Sequence, residues 1–335
     1  MRICYFQADY ISHFRAATAY CECLATSGNT LVEHPSSADL VIIHNEPWTV
    51  PSYYRAFPEL NKKYVVAYSV WEASVLPDYY RLCLGLINEI WTASSYSHDI
   101  FRKHFSKVFV VPHVVTPPIL DVPTIEHLET RIKYQDDMFY FYTVTNAADP
   151  RKNVKTLVGA FESLSASNKA RLLVKTHSPL PPDLSKVPGV IPLYGESNDK
   201  EIEALHHLGH CFVSAHCSEA WGMGISEAMS HSKIVIATGF GGNMDYMNGE
   251  NSLPVKFTVE HIRKEALNAM PSWLRPEMQW AYVDEDDLRA KMATCLTKSD
   301  SFQSMSRKAQ QEMRRFSPES VAQLLLHRLD AIRRR

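Results

Sequence analysis

The chain has 335 residues, 45% of them hydrophobic and 21% charged, and a formal net charge of -2. That length accommodates two core-bearing domains, and the near-neutral charge gives no global electrostatic drive toward nucleic acid. The opening MRICYFQADY lacks the apolar run of a signal peptide, no window approaches the ~18 uninterrupted apolar residues of a membrane span, and the seven cysteines, without CxxC spacing, read as free buried thiols of a reducing cytosol.

In chain order, residues 2–7 (RICYFQ) predict a first strand, and 12–26 carry Phe14, Ala17, Tyr20, Cys21 and Leu24 at helical spacing. The apolar runs at 38–46 (ADLVIIHNE), 62–70 (KKYVVAYSV), 89–94 (EIWTAS) and 108–115 (VFVVPHVV) predict four more strands. SHDIFRKHF (97–105) predicts a helix capped by Ser97. Such runs, separated by helices, indicate a parallel sheet covered on both faces. Residues 116–137 break the pattern with proline and charge and read as a linker holding one short helix at 124–132. The alternation then resumes, with strands at 138–144, 170–176, 190–195, 211–215 and 233–238 and helices near 152–166, 199–208 and 224–231. Helices near 284–297, 301–315 and 318–332 complete the chain. The expected domains are 1–115 and 138–317, joined by 116–137, with a final helix in 318–335 able to cross back to the first domain. Two βα domains of this kind bury a ligand in the cleft between them, outside the carboxyl ends of the strands.

Three stretches invite chemistry. HHLGHCFVSAHC (206–217) is rich in metal-ligand types, but its histidines fall on two different elements, so packing or surface histidines are the favoured reading. Arg314, Arg315, Arg328 and the terminal Arg333–Arg335 form a basic exception, read as a solvated helix face or as a weak attraction to an anionic membrane surface. EAWGMGISEA (219–228) sets Glu219 on a loop after the 211–215 strand, Gly222 and Gly224 where a helix begins, and Glu227 one turn into it. The first amides of a helix have no internal partners and suit a phosphate, and glycines allow its close approach. Glu227 is then placed to accept from a ribose diol and Glu219 from a sugar ring. The plain alternative is a solvated helix carboxylate, a loop carboxylate and two turn glycines.

SAHCSEAWGMGISEAMSHSKIVIAT resembles the retaining GT-B glycosyltransferases that carry a glutamate, seven residues and a second glutamate after a strand; Glu219 and Glu227 match the pair and Gly222 and Gly224 the glycines. ADPRKNVKTLVGAF (148–161) resembles the family's phosphate-contacting segment, with Lys152 in the lysine position. GFGGNMDYMNGENSLPV (239–255) and LPDYYRLCLGLINEIWTASSYSHDIF (76–101) resemble family segments after the donor motif and late in the N-terminal domain. The resemblance covers most of 65–330 and is specific over 211–255. Three features depart from it. The family's histidine after a middle strand of the N-terminal domain appears as Ser69-Val70-Trp71-Glu72. The family's arginine before the lysine is replaced by Thr145-Asn146-Ala147, with Arg151 as a substitute from another direction, and the family's glycine-rich loop after the first strand is replaced by ADYISHF (8–14).

The resemblance implies an α/β protein of the GT-B fold, with two Rossmann-like doubly wound parallel-sheet domains facing a central cleft. It implies a metal-independent, cofactor-free hexosyl transfer from a nucleotide-sugar donor, UDP- or GDP-linked, to a hydroxyl of a glycan or lipid-linked acceptor, with retention of configuration. The expected setting is cell-surface polysaccharide synthesis in the cytoplasm, or peripherally at the inner membrane face. Glu219 and Lys152 are the expected catalytic residues. Glu227, Gly222, Met223, Gly224, Ile225, Arg151, Asn146, Lys175 and Tyr194 are expected at the donor, and Trp71, Glu72 and His13 on the acceptor side. A nucleotide-sugar-binding protein without transferase activity, or a nucleotide-sugar epimerase or hydrolase, are the alternatives.

Overall fold

The computed structural model describes residues 1–165, 169–195, 198–270 and 272–334. The chain divides into two compact units, Met1–Val115 with Arg314–Arg335, and Thr116–Met313. No helix among the described residues is long and apolar enough to cross a membrane.

The first unit is built on six strands: β1 (Arg2–Gln7), β2 (Thr30–Val32), β3 (Leu40–His44), β4 (Tyr64–Tyr68), β5 (Glu89–Thr92) and β6 (Val108–Val110). They lie in the order β2-β1-β3-β4-β5-β6 and every pairing is parallel. β3 (LVIIH) is buried along its whole length, as a central strand covered on both faces must be. The 108–115 run stops as a strand at Val110, because Pro112 has no N–H for the ladder. The helix predicted from Ser97 begins two residues earlier: Ser94 is its cap, accepting from the Ser97 amide, and the helix spans Ser95–Arg102. β2 is three residues long, too short to show a pattern in sequence.

The C-terminal helix Pro318–Arg333 belongs to this unit and packs on the helix Ile11–Thr26 through Val321, Leu325 and Leu329. Arg328 corrects the reading of the basic C-terminus. Its guanidinium lies 3.4 Å from the Phe109 ring centroid, donates through Nε to Glu89 Oε2 at 2.8 Å, and bonds through Nη2 to Glu89 Oε1. Glu89 is completely buried, so Arg328 is a structural counter-ion and not part of a solvated face. Arg333 pairs with Asp330, and Arg335 lies outside the described residues.

The second unit holds β7 (Phe139–Thr145), β8 (Ala170–Thr176), β9 (Val190–Tyr194), β10 (Cys211–Ser214), β11 (Ile234–Thr238) and β12 (Leu253–Val255). Their order is β12-β11-β10-β7-β8-β9, again all parallel. Its core joins Phe141, Leu172, Val174, Val213 and Ile236 of the sheet to Leu157 and Phe161 of one helix and Leu288 and Met292 of another. Residues 116–137, read as a linker, carry the helix Val122–Ile132, capped by Asp121; it buries Ile125, Leu128 and Ile132 and packs on the helix Asp199–Leu208. An antiparallel ribbon, β13 (Phe257–His261) with β14 (Gln279–Val283), is absent from the sequence reading. β13 is exposed throughout, so no buried face imposes an apolar pattern on it.

Candidate functional site

In the second sheet the strand order reverses between β7 and β10, and loops beyond the carboxyl ends of such a pair form a crevice. The loop after β7 supplies Asn146, Asp149, Arg151 and Lys152, and the loop after β10 supplies His216, Ser218 and Glu219. Pro150–Lys152 form one 3-10 turn capped by Asp149, and Asn153 ends it in the left-handed region at φ 50°. The Asn153 side chain donates through Nδ2 to the Ala215 carbonyl at 3.1 Å, and the Cys217 N–H donates to the Arg151 carbonyl at 2.7 Å, so the two loops are stitched together.

This stitching brings two cations onto one carboxylate. Lys152 Nζ bonds to Glu219 Oε1, and Arg151 Nη1 donates to Glu219 Oε2 at 3.2 Å and to the Ser218 carbonyl at 2.8 Å. Arg151 Nη2 reaches Asp149 at 3.2 Å. Burial by itself raises the Glu219 pKa, but Lys152 and then Arg151 overcome it and hold the group at about 2. A carboxylate so held is a weak base and a poor nucleophile. Arg151 is engaged on both terminal nitrogens and braces the Glu219 loop, whereas an ammonium carries three donors.

The Glu219 loop is shaped by the segment after β11, the start of the 239–255 stretch. The Gly242 N–H donates to the Glu219 carbonyl at 2.7 Å. Gly241 has φ +103°, and a Cβ there would sit 2.7 Å from that same carbonyl oxygen. His216 Nε2 lies 3.1 Å from the Phe240 carbonyl and 3.2 Å from Asn243 Oδ1. The glycines of GFGGN were the visible signal; their target was not.

Gly222, at φ +87°, is the cap of the helix Met223–Ser230. A Cβ at Gly222 would lie 2.9 Å from Ile225 Cδ1, and one at Gly224 3.1 Å from the Phe212 ring, so both glycines allow close packing. The ladder starts with the Ile225 and Ser226 amides bonded to the Gly222 carbonyl, which leaves those of Met223 and Gly224 at the open end. Glu227 lies on this helix with its Oε2 3.6 Å from His206 Nε2.

The other donor-side candidates do not join this group. Lys175, buried at the end of β8, donates to the Gly195 carbonyl and lines a small cavity with Arg131, Glu201 and Leu205. Burial lowers its pKa. Tyr194 is exposed beside it at the end of β9. Asn146 Oδ1 accepts from the Ala148 N–H at 3.1 Å and from Ser178 Oγ at 3.2 Å. The histidines of 206–217 diverge: His206 faces Tyr142 and Glu227, His210 accepts from the Tyr140 N–H, and His216 serves the Phe240 turn. Among the described residues no group of three or more His, Cys, Asp or Glu side chains can hold a metal.

In the first unit the strand order reverses between β1 and β3. His13 Nε2 lies 3.8 Å from Glu46 Oε1, and Tyr80 bonds through its hydroxyl to Glu46 Oε2. Burial raises the Glu46 pKa to about 8, with Tyr80 opposing and Glu72 adding, and burial pushes His13 down to about 4. Sequence reasoning passed over Glu46; its place just past an apolar strand end beside the reversal was the available signal. Trp71 is packed rather than displayed: it is 5% exposed, its Nε1–H donates to the Val75 carbonyl at 2.8 Å, and it lies on Tyr80.

Residues 139–270 match the family described as "Glycosyl transferases group 1". A search among curated proteins finds no match to the chain. Among solved structures the chain is similar to Anabaena Alr3699/HepE in complex with UDP and glucose, at TM-score 0.72 and 12% identity over 99% of this chain and 100% of that one. It is also similar to a glycosyltransferase from Rickettsia africae, at TM-score 0.70 and 14% identity over 97% of each chain. WaaG, a glycosyltransferase involved in lipopolysaccharide biosynthesis, matches at TM-score 0.64 and 12% identity over 97% of this chain and 98% of that one. At these identities the likeness is one of fold.

Proposed function

We propose that the chain, whose residues 139–270 match the group 1 glycosyl transferases and whose fold is GT-B, transfers a hexose from a UDP- or GDP-sugar to a hydroxyl of a glycan or lipid-linked acceptor, with retention of configuration. The observation that carries this reading is the convergence of Lys152 and Arg151 on Glu219, in the loop that leads directly into the open end of the Met223–Ser230 helix.

In this reading the donor diphosphate lies against the Lys152 ammonium and the amides of Met223 and Gly224. Fixed donors of this kind stabilise the charge that grows on a leaving group and need no reorganisation during the reaction. The sugar C1–O bond breaks with its electron pair going to the diphosphate. The acceptor oxygen bonds C1 on the same face, and its proton passes to the departing phosphate oxygen. Glu219, pinned by two cations, orients the sugar hydroxyls and keeps Lys152 in place, and Glu227 takes the ribose. No metal ion is required, because Lys152 and the helix amides meet the charge. In this reading Lys175 and Tyr194, apart from the Glu219 group, would meet the base, and Ile225 would flank the phosphates.

The acceptor is assigned to the strand-end loops of the first unit, at His13, Glu46 and Glu72. Tyr10, Phe14 and Trp48 are all exposed around these loops, and such rings stack on sugars. A role in cell-surface polysaccharide synthesis takes its support from the likeness to WaaG, a glycosyltransferase involved in lipopolysaccharide biosynthesis, and Arg334 would supply a weak contact to an anionic membrane face.

The test has two stages. Thermal stabilisation by UDP, GDP, CDP or ADP identifies the base, because a ligand of the native state raises the melting temperature. Release of that nucleoside diphosphate from its sugar is then measured with and without oligosaccharide acceptors and with a chelator. Acceptor-dependent, chelator-insensitive release supports transfer. Acceptor-independent turnover identifies an epimerase or hydrolase, and binding without turnover a sensor.

A further inference from the structure

His206 lies in the middle of the second unit with no exposed surface. Its Nδ1 is 2.9 Å from the Tyr142 hydroxyl, and its Nε2 is 3.6 Å from Glu227 Oε2, just outside hydrogen-bond range. Nε2 has no other partner among the described residues. A buried imidazole nitrogen without a partner is costly, so its orientation asks for an explanation.

The surroundings fix the ring. Tyr142 meets it edge-on at 5.5 Å, and His231 stacks on it at 5.0 Å. His231 is itself held by Glu203 at 3.0 Å. Tyr142 cannot swing away, because Gly209 packs against its ring: a Cβ at 209 would fall 2.2 Å from Tyr142 Cδ1. Burial lowers the His206 pKa, with Glu227 opposing, so the ring is neutral and carries one proton. A carboxylate facing Nε2 favours the tautomer with the proton on that nitrogen, and in that tautomer Nδ1 accepts from the Tyr142 hydroxyl.

We propose that His206, oriented by Tyr142, is a positioning residue that engages one oxygen of Glu227 and thereby presents the other to the ribose hydroxyls of the donor. This rests on the reading of Glu227 as a ribose contact, and it adds a consequence: Tyr142, His206 and Glu227 together make the protein discriminate ribonucleotides from 2′-deoxyribonucleotides. The gap of 3.6 Å closes when a diol engages the second oxygen and the carboxylate settles between His206 and ligand.

The experiment titrates the full chain by calorimetry with UDP, GDP and their 2′-deoxy counterparts, in wild type, His206→Asn and His206→Gln. Asparagine reproduces only the Nδ1 position, whereas glutamine carries an N–H toward Glu227. Wild type is expected to prefer the ribonucleotide by about tenfold or more, the scale of one hydrogen bond to a charged group. In His206→Asn the preference falls to about threefold or less, and His206→Gln restores most of it. Tyr142→Phe moves the ratio in the same direction and replaces His206→Asn should that variant not fold. Affinity for inorganic pyrophosphate, which lacks a ribose, is unchanged in every folded variant. A full ribose preference in His206→Asn overturns this proposal alone. Equal binding of ribo and deoxy forms by wild type removes the role of Glu227 and this proposal with it. No binding of any of the four nucleotides by wild type overturns the donor reading as well.

Discussion

Consider protonating Glu219, or replacing it by the neutral isostere glutamine. The carboxyl has its pKa lowered from 4.5 to about 2 in the folded chain, so the folded state favours the charged form. A depressed acid pKa contributes stability that is fully present above pH 4.5 and is lost as the pH falls toward 2. At 1.36 kcal/mol per pKa unit the shift corresponds to about 3 kcal/mol at neutral pH, with about half remaining near pH 3. Glu219 is only 8% exposed, so solvent screening removes little of this. The assay is urea denaturation of wild type and Glu219→Gln, followed by circular dichroism at intervals from pH 7 to pH 3. The wild-type advantage should be largest at pH 7 and shrink below pH 4.5. The same variant should lose transfer activity at pH 7 while remaining folded. An advantage independent of pH, or one growing in acid, refutes the assignment of Lys152 and Arg151 as the groups holding Glu219 charged.

Three further outcomes follow from the same geometry. Lys152→Ala should weaken binding of free nucleoside diphosphate by about 10- to 100-fold, the range of a charged hydrogen bond, measured by calorimetry; unchanged affinity removes Lys152 from the phosphate site. Arg328→Ala strands the fully buried Glu89 carboxylate and should destabilise the chain by about 3–5 kcal/mol, whereas Arg328→Met with Glu89→Leu should recover most of the loss in a chemical denaturation series. Gly241→Ala forces a Cβ against the Glu219 carbonyl at a left-handed backbone, so it should lower the melting temperature and transfer rate together, with strain of about 1–3 kcal/mol.

The sequence by itself determined the elements whose signal is local. Continuous apolar runs such as LVIIH and LLVKT have no partner but a covered parallel strand, and they appear as β3 and β8. The two-glycine hinge between Glu219 and Glu227 was legible because only glycine tolerates the backbone at Gly222 and the packing at Gly224. Short or exposed strands such as β2 and β13 left no trace, since nothing buried imposes a pattern on them.

Partnership was decided only by the tertiary structure. No spacing relates Arg328 to Glu89, 239 residues apart, nor Lys152 and Arg151 to a carboxylate 67 and 68 residues away. Likewise nothing in HHLGH says that His206 turns inward to Tyr142 and Glu227 while His210 turns to Tyr140. Charges and ring nitrogens act through distance in space, and distance is set by how parallel strands are ordered in a sheet. That order, β10 beside β7 and β1 beside β3, is a property of the folded chain as a whole.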